Sequence, residues 1–260
     1  MSDKADKALE HYNKKEWKEA IDAFSSILET EGDKAEIYNN IGLCRANLGE
    51  DNKAEENYLK AIQLNPELVQ IYINLSDIYY KQKRFGECIE MLTRAINIIP
   101  DNMVLRHYLA RFYMEDTKLD LAIDELDKVL DAQPENYDAY YDLGRVYFEL
   151  GVYDSAIEAF ENVLELKNNN EWVYYYLGQA YEANDEIDKA ISSYIRATAI
   201  NFHFPPAFKK LGILFMARGE YEDAIEYFED YLKKDLAPEE EKNIKALIER
   251  LKDKIEKEKV

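Results

Sequence analysis

Residues 137–170 read YDAYYDLGRVYFELGVYDSAIEAFENVLELKNNN. Tyr140, Leu143, Gly144 and Tyr147 recur at helical spacing and make one apolar stripe. Tyr153, Ala156, Ile157, Phe160, Val163 and Leu164 make a second. Gly151 stands between the stripes, where a helix end favours a residue that tolerates a left-handed backbone. The stretch therefore reads as helix A, a tight turn, then helix B. One such hairpin cannot bury both stripes by itself, so it must stack on neighbours.

The neighbours are in the sequence. Pro66, Pro100 and Pro134 recur every 34 residues, and seven complete repeats begin at residues 1, 35, 69, 103, 137, 171 and 205 without an insertion. Repeat position 8 is always small: Ala8, Gly42, Ser76, Ala110, Gly144, Gly178 and Gly212. Position 20 is small as well: Ala20, Ala54, Cys88, Ala122, Ala156, Ala190 and Ala224. Position 24 is large and apolar: Phe24, Tyr58, Leu92, Leu126, Phe160, Tyr194 and Phe228. Small residues at 8 and 20 let the two helices approach closely, and the large one at 24 fills the space beside them. Position 15 is often glycine (Gly49, Gly151, Gly219), as a helix C-cap requires.

With its 34-residue period, Leu143-Gly144, Tyr147, Ala156, Phe160 and a proline at position 32 in three repeats, residues 1–238 resemble the tetratricopeptide repeat (TPR) family. The resemblance implies an all-α fold, a right-handed superhelical solenoid whose A helices line a concave groove. Lys7 and His11 suit an exposed first helix. Arg45, Asp51 and Glu55 occupy usually apolar positions, which predicts a weak joint at repeat 2 and faster amide exchange in repeats 1 and 2 than in repeats 5 to 7. Gly32, Asn168, Phe202 and Leu236 replace the proline in the other repeats, and Asn201–Pro206 is a candidate local distortion. In residues 239–260, Ile244, Ile248, Leu251 and Ile255 form a stripe that reads first as a C-terminal capping helix; a short coiled-coil seam is the alternative.

Composition narrows the class of function. The 260 residues carry 33 Lys+Arg against 53 Asp+Glu, a formal charge of −20. Such acidity disfavours nucleic acid and anionic membrane surfaces as partners. Only 9 Gly and 6 Pro leave little room for β-hairpins. No apolar run is long enough to span a bilayer, and MSDKADKALEHYNKKEW does not read as a signal peptide, so the expected compartment is cytoplasmic. The three histidines, His11, His107 and His203, fall in different repeats, and Cys44 and Cys88 occupy packed columns. Neither a phosphate loop nor a metal pattern is present, so no cofactor and no enzymatic activity are expected.

Binding of another protein remains. The resemblance implies that helix A positions 2, 5, 6, 9, 12 and 13 line the groove. Acidic residues there are Asp6, Glu36, Asp77, Glu115, Asp138, Asp142, Glu149 and Glu182, and basic ones are Lys81, Arg111, Arg145, Lys209 and Lys210. Repeats 4 to 6 concentrate aromatics at these positions: Tyr108, Tyr141, Phe148, Trp172, Tyr175 and Tyr176, with His107, Arg111, Arg145 and Gln179 beside them. Aromatics with arginine make interaction hot spots, and Arg111 and Arg145 share a column suited to a peptide carboxylate. The tyrosines could equally pack sideways between adjacent A helices, and the sequence leaves both uses open. The clamp by which TPR co-chaperones hold a chaperone's C-terminus is not matched: Asn40 and Asn74 fit, but position 5 holds no lysine before Lys209. The expectation is a monomeric scaffold or adaptor that binds a partner peptide or helix. The alternative is a structural protein that self-assembles through its repeat ends or its tail.

Overall fold

The computed structural model describes residues 3–166 and 170–258, so Asn168 lies outside the described residues. Among them the chain forms fifteen α-helices and no strand. Seven A helices, α1 (Asp3–Asn13), α3 (Ala35–Asn47), α5 (Val69–Lys81), α7 (Met103–Glu115), α9 (Tyr137–Glu149), α11 (Glu171–Ala183) and α13 (Pro205–Arg218), alternate with seven B helices. The B helices are α2 (Trp17–Glu31), α4 (Asp51–Leu64), α6 (Phe85–Ile98), α8 (Leu119–Ala132), α10 (Tyr153–Leu166), α12 (Ile187–Ile200) and α14 (Tyr221–Leu232), and α15 (Pro238–Glu258) follows them. From α3 onward every A helix starts at repeat position 1, and every B helix starts at position 17. The chain divides into two compact units, Met1–Pro134 with α1–α8 and Glu135–Val260 with α9–α15.

Each A helix ends in the same way. The position 15 N–H donates to the position 12 carbonyl and the position 16 N–H to the position 11 carbonyl, as in Gly151 to Phe148 (3.1 Å) and Val152 to Tyr147 (2.9 Å). This closure requires a left-handed residue at position 15. Gly49, Gly151 and Gly219 supply it at φ of 75°, 75° and 81°. Lys15, Lys83, Thr117 and Asp185 adopt it at φ of 61°, 57°, 56° and 63°, although a side chain disfavours that conformation.

Inside each hairpin the columns meet as their volumes require. Tyr58, Phe160, Tyr194 and Phe228 are buried, and each lays its ring against the glycine at position 8 of its own repeat. A Cβ added to Gly42, Gly144, Gly178 or Gly212 would lie 2.5 to 2.7 Å from the nearest ring atom. Where position 8 carries a larger residue, as in Ser76 and Ala110, position 24 is Leu92 or Leu126. The first repeat pairs Ala8 with Phe24.

The joint at repeat 2 adds charge to apolar contact, for Ala54, Tyr58 and Ala61 share a buried cluster with Ile71, Tyr72 and Leu75 of the next repeat. Glu55 takes a forked pair of hydrogen bonds from the Arg84 guanidinium (2.6 and 2.9 Å) and a third from the Tyr79 hydroxyl (3.2 Å), tying α4 to the next repeat. Arg45 donates to Glu50 at 2.8 Å, while its Nε is buried without a hydrogen-bond partner. Asp51 lies in the first turn of α4, where the helix dipole favours a carboxylate.

In the second unit, Asn201–Pro206 leaves the repeat register intact. Asn201 caps the turn by accepting from the His203 N–H (2.9 Å), and α13 opens at Pro205, a favourable site for proline. Lys234 braces the turn by donating to the Phe202 carbonyl (2.5 Å), with its ammonium over the rings of Phe202 and Phe208. The stripe of α15 is used for capping. Ile244, Ile248 and Leu251 are buried against Phe208, Ala224, Phe228 and Tyr231. Glu240 joins the cap to α13 and α14 through Lys209 (2.6 Å) and the Tyr231 hydroxyl (2.8 Å).

Candidate functional site

The ten residues singled out by their columns fall into two sets. His107, Tyr108 and Arg111 lie on α7 in the first unit; Tyr141, Arg145 and Phe148 lie on α9, and Trp172, Tyr175, Tyr176 and Gln179 on α11, in the second.

In the first unit, Tyr108 and Arg111 border a cavity of about 100 Å³ between α5 and α7. Asp77, Tyr80, Phe112 and Glu115 complete its lining. The Phe112 ring is buried and meets Tyr80 and Phe85 edge-on, each with centroids 6.2 Å apart, which makes one rigid wall. The Tyr80 hydroxyl donates to Glu115 at 3.4 Å, and Arg111 lies 6.0 Å from the Tyr108 ring centre. Burial pushes the Asp77 carboxyl up, and the positive charges of Lys81 and Arg111 offset this only in part. Burial also raises the Tyr108 phenol.

In the second unit the aromatics are joined to one another. Tyr141 meets Phe160 at 6.1 Å and Tyr176 at 5.8 Å, and Phe160 stacks on Tyr176 at 5.9 Å. Tyr175 contacts Tyr176, Tyr194 and Phe204. Sideways packing thus takes up much of the surface of Tyr141, Tyr175 and Tyr176, and burial accordingly raises the Tyr141 and Tyr175 phenols. Trp172 differs: 45% of it is exposed, while its ring packs edge-to-face with Phe204, centroids 4.7 Å apart. Arg145 reaches its own-helix neighbour Asp142 at 3.3 Å, and Asp142 is buried. Phe148 packs on Tyr153 at 5.7 Å.

Asp77, Tyr80, Phe112 and Glu115 belong to the site but not to the aromatic cluster read from repeats 4 to 6. Asp77 and Glu115 occupy groove columns 9 and 13, and Tyr80 occupies column 12 in repeat 3, one repeat before that cluster begins. Phe204 shows no such signal, because it belongs to a turn. The two cysteines are buried, and burial pushes their thiols up to about 11 for Cys44 and about 12 for Cys88, which suits packing more than nucleophilic chemistry. Among the described residues, no group of three or more His, Cys, Asp or Glu side chains gathers as metal ligands, and no helix is long and apolar enough to cross a membrane.

Comparison with solved structures finds chains of the same fold. MamA is 27% identical with a TM-score of 0.59, over 66% of this chain and 97% of that one. The C-terminal part of a TPR repeat-containing protein from Cytophaga hutchinsonii is 17% identical with a TM-score of 0.73, over 91% of this chain and 97% of that one. YrrB, described as a TPR protein with an unusual peptide-binding site, is 22% identical with a TM-score of 0.58, over 72% of this chain and 97% of that one. No curated protein matches in sequence. Family profiles described as tetratricopeptide repeat match residues 35–68, 69–102, 113–157, 173–204 and 207–240, and one described as TPR repeat matches 144–185. With these matches lying on the helix pairs and their shared closures, the chain belongs to the tetratricopeptide repeat family.

Proposed function

We propose that the chain is a non-catalytic scaffold or adaptor that binds an extended segment or a short helix of a partner protein on its A helices. The observation that carries this reading is the cavity between α5 and α7, where Tyr108 and Arg111 meet Asp77, Tyr80, Phe112 and Glu115. All six side chains come from A helices, and rings combined with an arginine suit a binding anchor. In the second unit, the exposed Trp172 backed by Phe204 and Tyr175 is a separate anchor of the same kind. YrrB supports the reading as a chain of similar fold described by a peptide-binding site.

Partner capture from native lysate tests this, comparing wild type with Tyr108→Ala and with a Trp172→Ala/Arg145→Gln variant, each checked for unchanged helicity. Tyr175 is better left in place, because its ring touches four others. Loss of a captured protein with either variant is expected; full capture by both would move the site off the A helices. Self-assembly is the less favoured reading because the ends present polar groups. Lys4, Lys7, His11, Glu19 and Asp22 line the cleft beside α1 and α2, and the outward side of α15 is mainly Lys and Glu. Copies each carrying −20 also repel one another. The expected mass in sedimentation is that of the monomer at all concentrations, and a rise with concentration would restore self-assembly.

A further inference from the structure

We infer that the cavity between α5 and α7 is a receptor for a cationic side chain, lysine or arginine, of the bound segment; this inference rests on the reading of the A helices as the binding face. Three features of the lining point to it. Tyr80, Tyr108 and Phe112 supply aromatic surface, which attracts organic cations through the ring quadrupole. Asp77 and Glu115 place two carboxylates on the lining against the single guanidinium of Arg111, while Lys81, which also acts on Asp77, stands outside the lining. Glu115 is already oriented by the Tyr80 hydroxyl.

Size restricts the ligand further. About 100 Å³ accommodates the head of one side chain and is well below the 300–1,000 Å³ typical of sites for whole small molecules. A carboxylate entering the cavity would gain Arg111 but meet Asp77 and Glu115. A cation would meet two carboxylates and the rings. The acidity of the whole chain adds attraction at a distance for a basic segment.

Selection of random dodecapeptides displayed on phage, using the full chain as bait, provides the probes. Selected peptides are then synthesised with a fluorescent label and titrated against wild type, Tyr108→Ala, Trp172→Ala and the double variant Asp77→Asn/Glu115→Gln, after circular dichroism shows each variant folded. The expected result is a shared lysine or arginine among peptides that need Tyr108. Replacing that residue by norleucine, or neutralising Asp77 together with Glu115, should weaken binding tenfold or more. Peptides that need Tyr108 but show no basic residue, or that bind the double carboxylate variant as well as wild type, would overturn the cation receptor and leave the binding face standing. Peptides indifferent to both Tyr108→Ala and Trp172→Ala would overturn the binding face and the receptor with it.

Discussion

At Gly144 a single methyl group would collide with Phe160, since an added Cβ lies 2.7 Å from the ring. Gly144→Ala is therefore expected to cost about 2 kcal/mol, the range found for overpacked cores. Phe160→Leu should recover much of that loss in the double variant, because Ala110 with Leu126 is the arrangement repeat 4 already uses. Urea unfolding of the four proteins in the cycle measures the coupling, and additive losses would show that the ring and the glycine do not constrain one another. Thr117 makes the opposite case: a β-branched residue held at φ 56°. Thr117→Gly should stabilise the chain by roughly 1 kcal/mol by removing the left-handed penalty, read as a rise in unfolding midpoint. The small-against-large columns were legible in the sequence because they are matters of volume. The left-handed column was only half legible, because Lys15, Lys83, Thr117 and Asp185 take a shape imposed by the hydrogen bonds of the helix end and not by their own preference.

Between elements, the sequence reading and the structure part at Glu55. A carboxylate in an apolar column looked like a thin interface, yet it is the acceptor that binds α4 to Arg84. Its partner lay 29 residues away and nothing local announced it. Glu55→Gln is expected to lower stability by about 2 kcal/mol, as for hydrogen bonds to charged groups, and the loss should be visible in thermal unfolding. Repeat 1 is accordingly expected to exchange its amide hydrogens fastest, with repeat 2 protected beyond what its charged columns suggest. The candidate site was legible to the same partial degree. The columns placed Tyr108, Arg111 and Trp172 on the A helices, but which rings support and which remain free depends on Phe204, a turn residue outside any column. Phe204→Ala in a Trp17→Phe background should shift Trp172 emission to the red, since the ring packed against it at 4.7 Å would be gone; unchanged emission would show that other rings suffice.

At the level of the whole chain, the repeat period carried nearly all of the architecture, and the C-terminal cap followed from the apolar spacing of α15. Charge ties the cap down as well. Hydrogen bonds from Lys209 and then Tyr231 hold the Glu240 carboxyl below its ordinary value of 4.5. A depressed carboxylate contributes its stability above the unfolded value and loses it as pH falls through the folded one. Wild type should therefore exceed Glu240→Gln in unfolding temperature at pH 7, and the difference should close well below pH 4.5. A gap that persisted in acid would mean that Glu240 acts by shape alone. The contact between ring and glycine closes within one hairpin, from position 8 to position 24 of the same repeat. A gene edit that excises one whole period, 34 codons in frame, removes a small residue and its large partner together and keeps the later repeats in register, whereas a length that is not a multiple of 34 breaks that register; the chain changes its reach in whole steps.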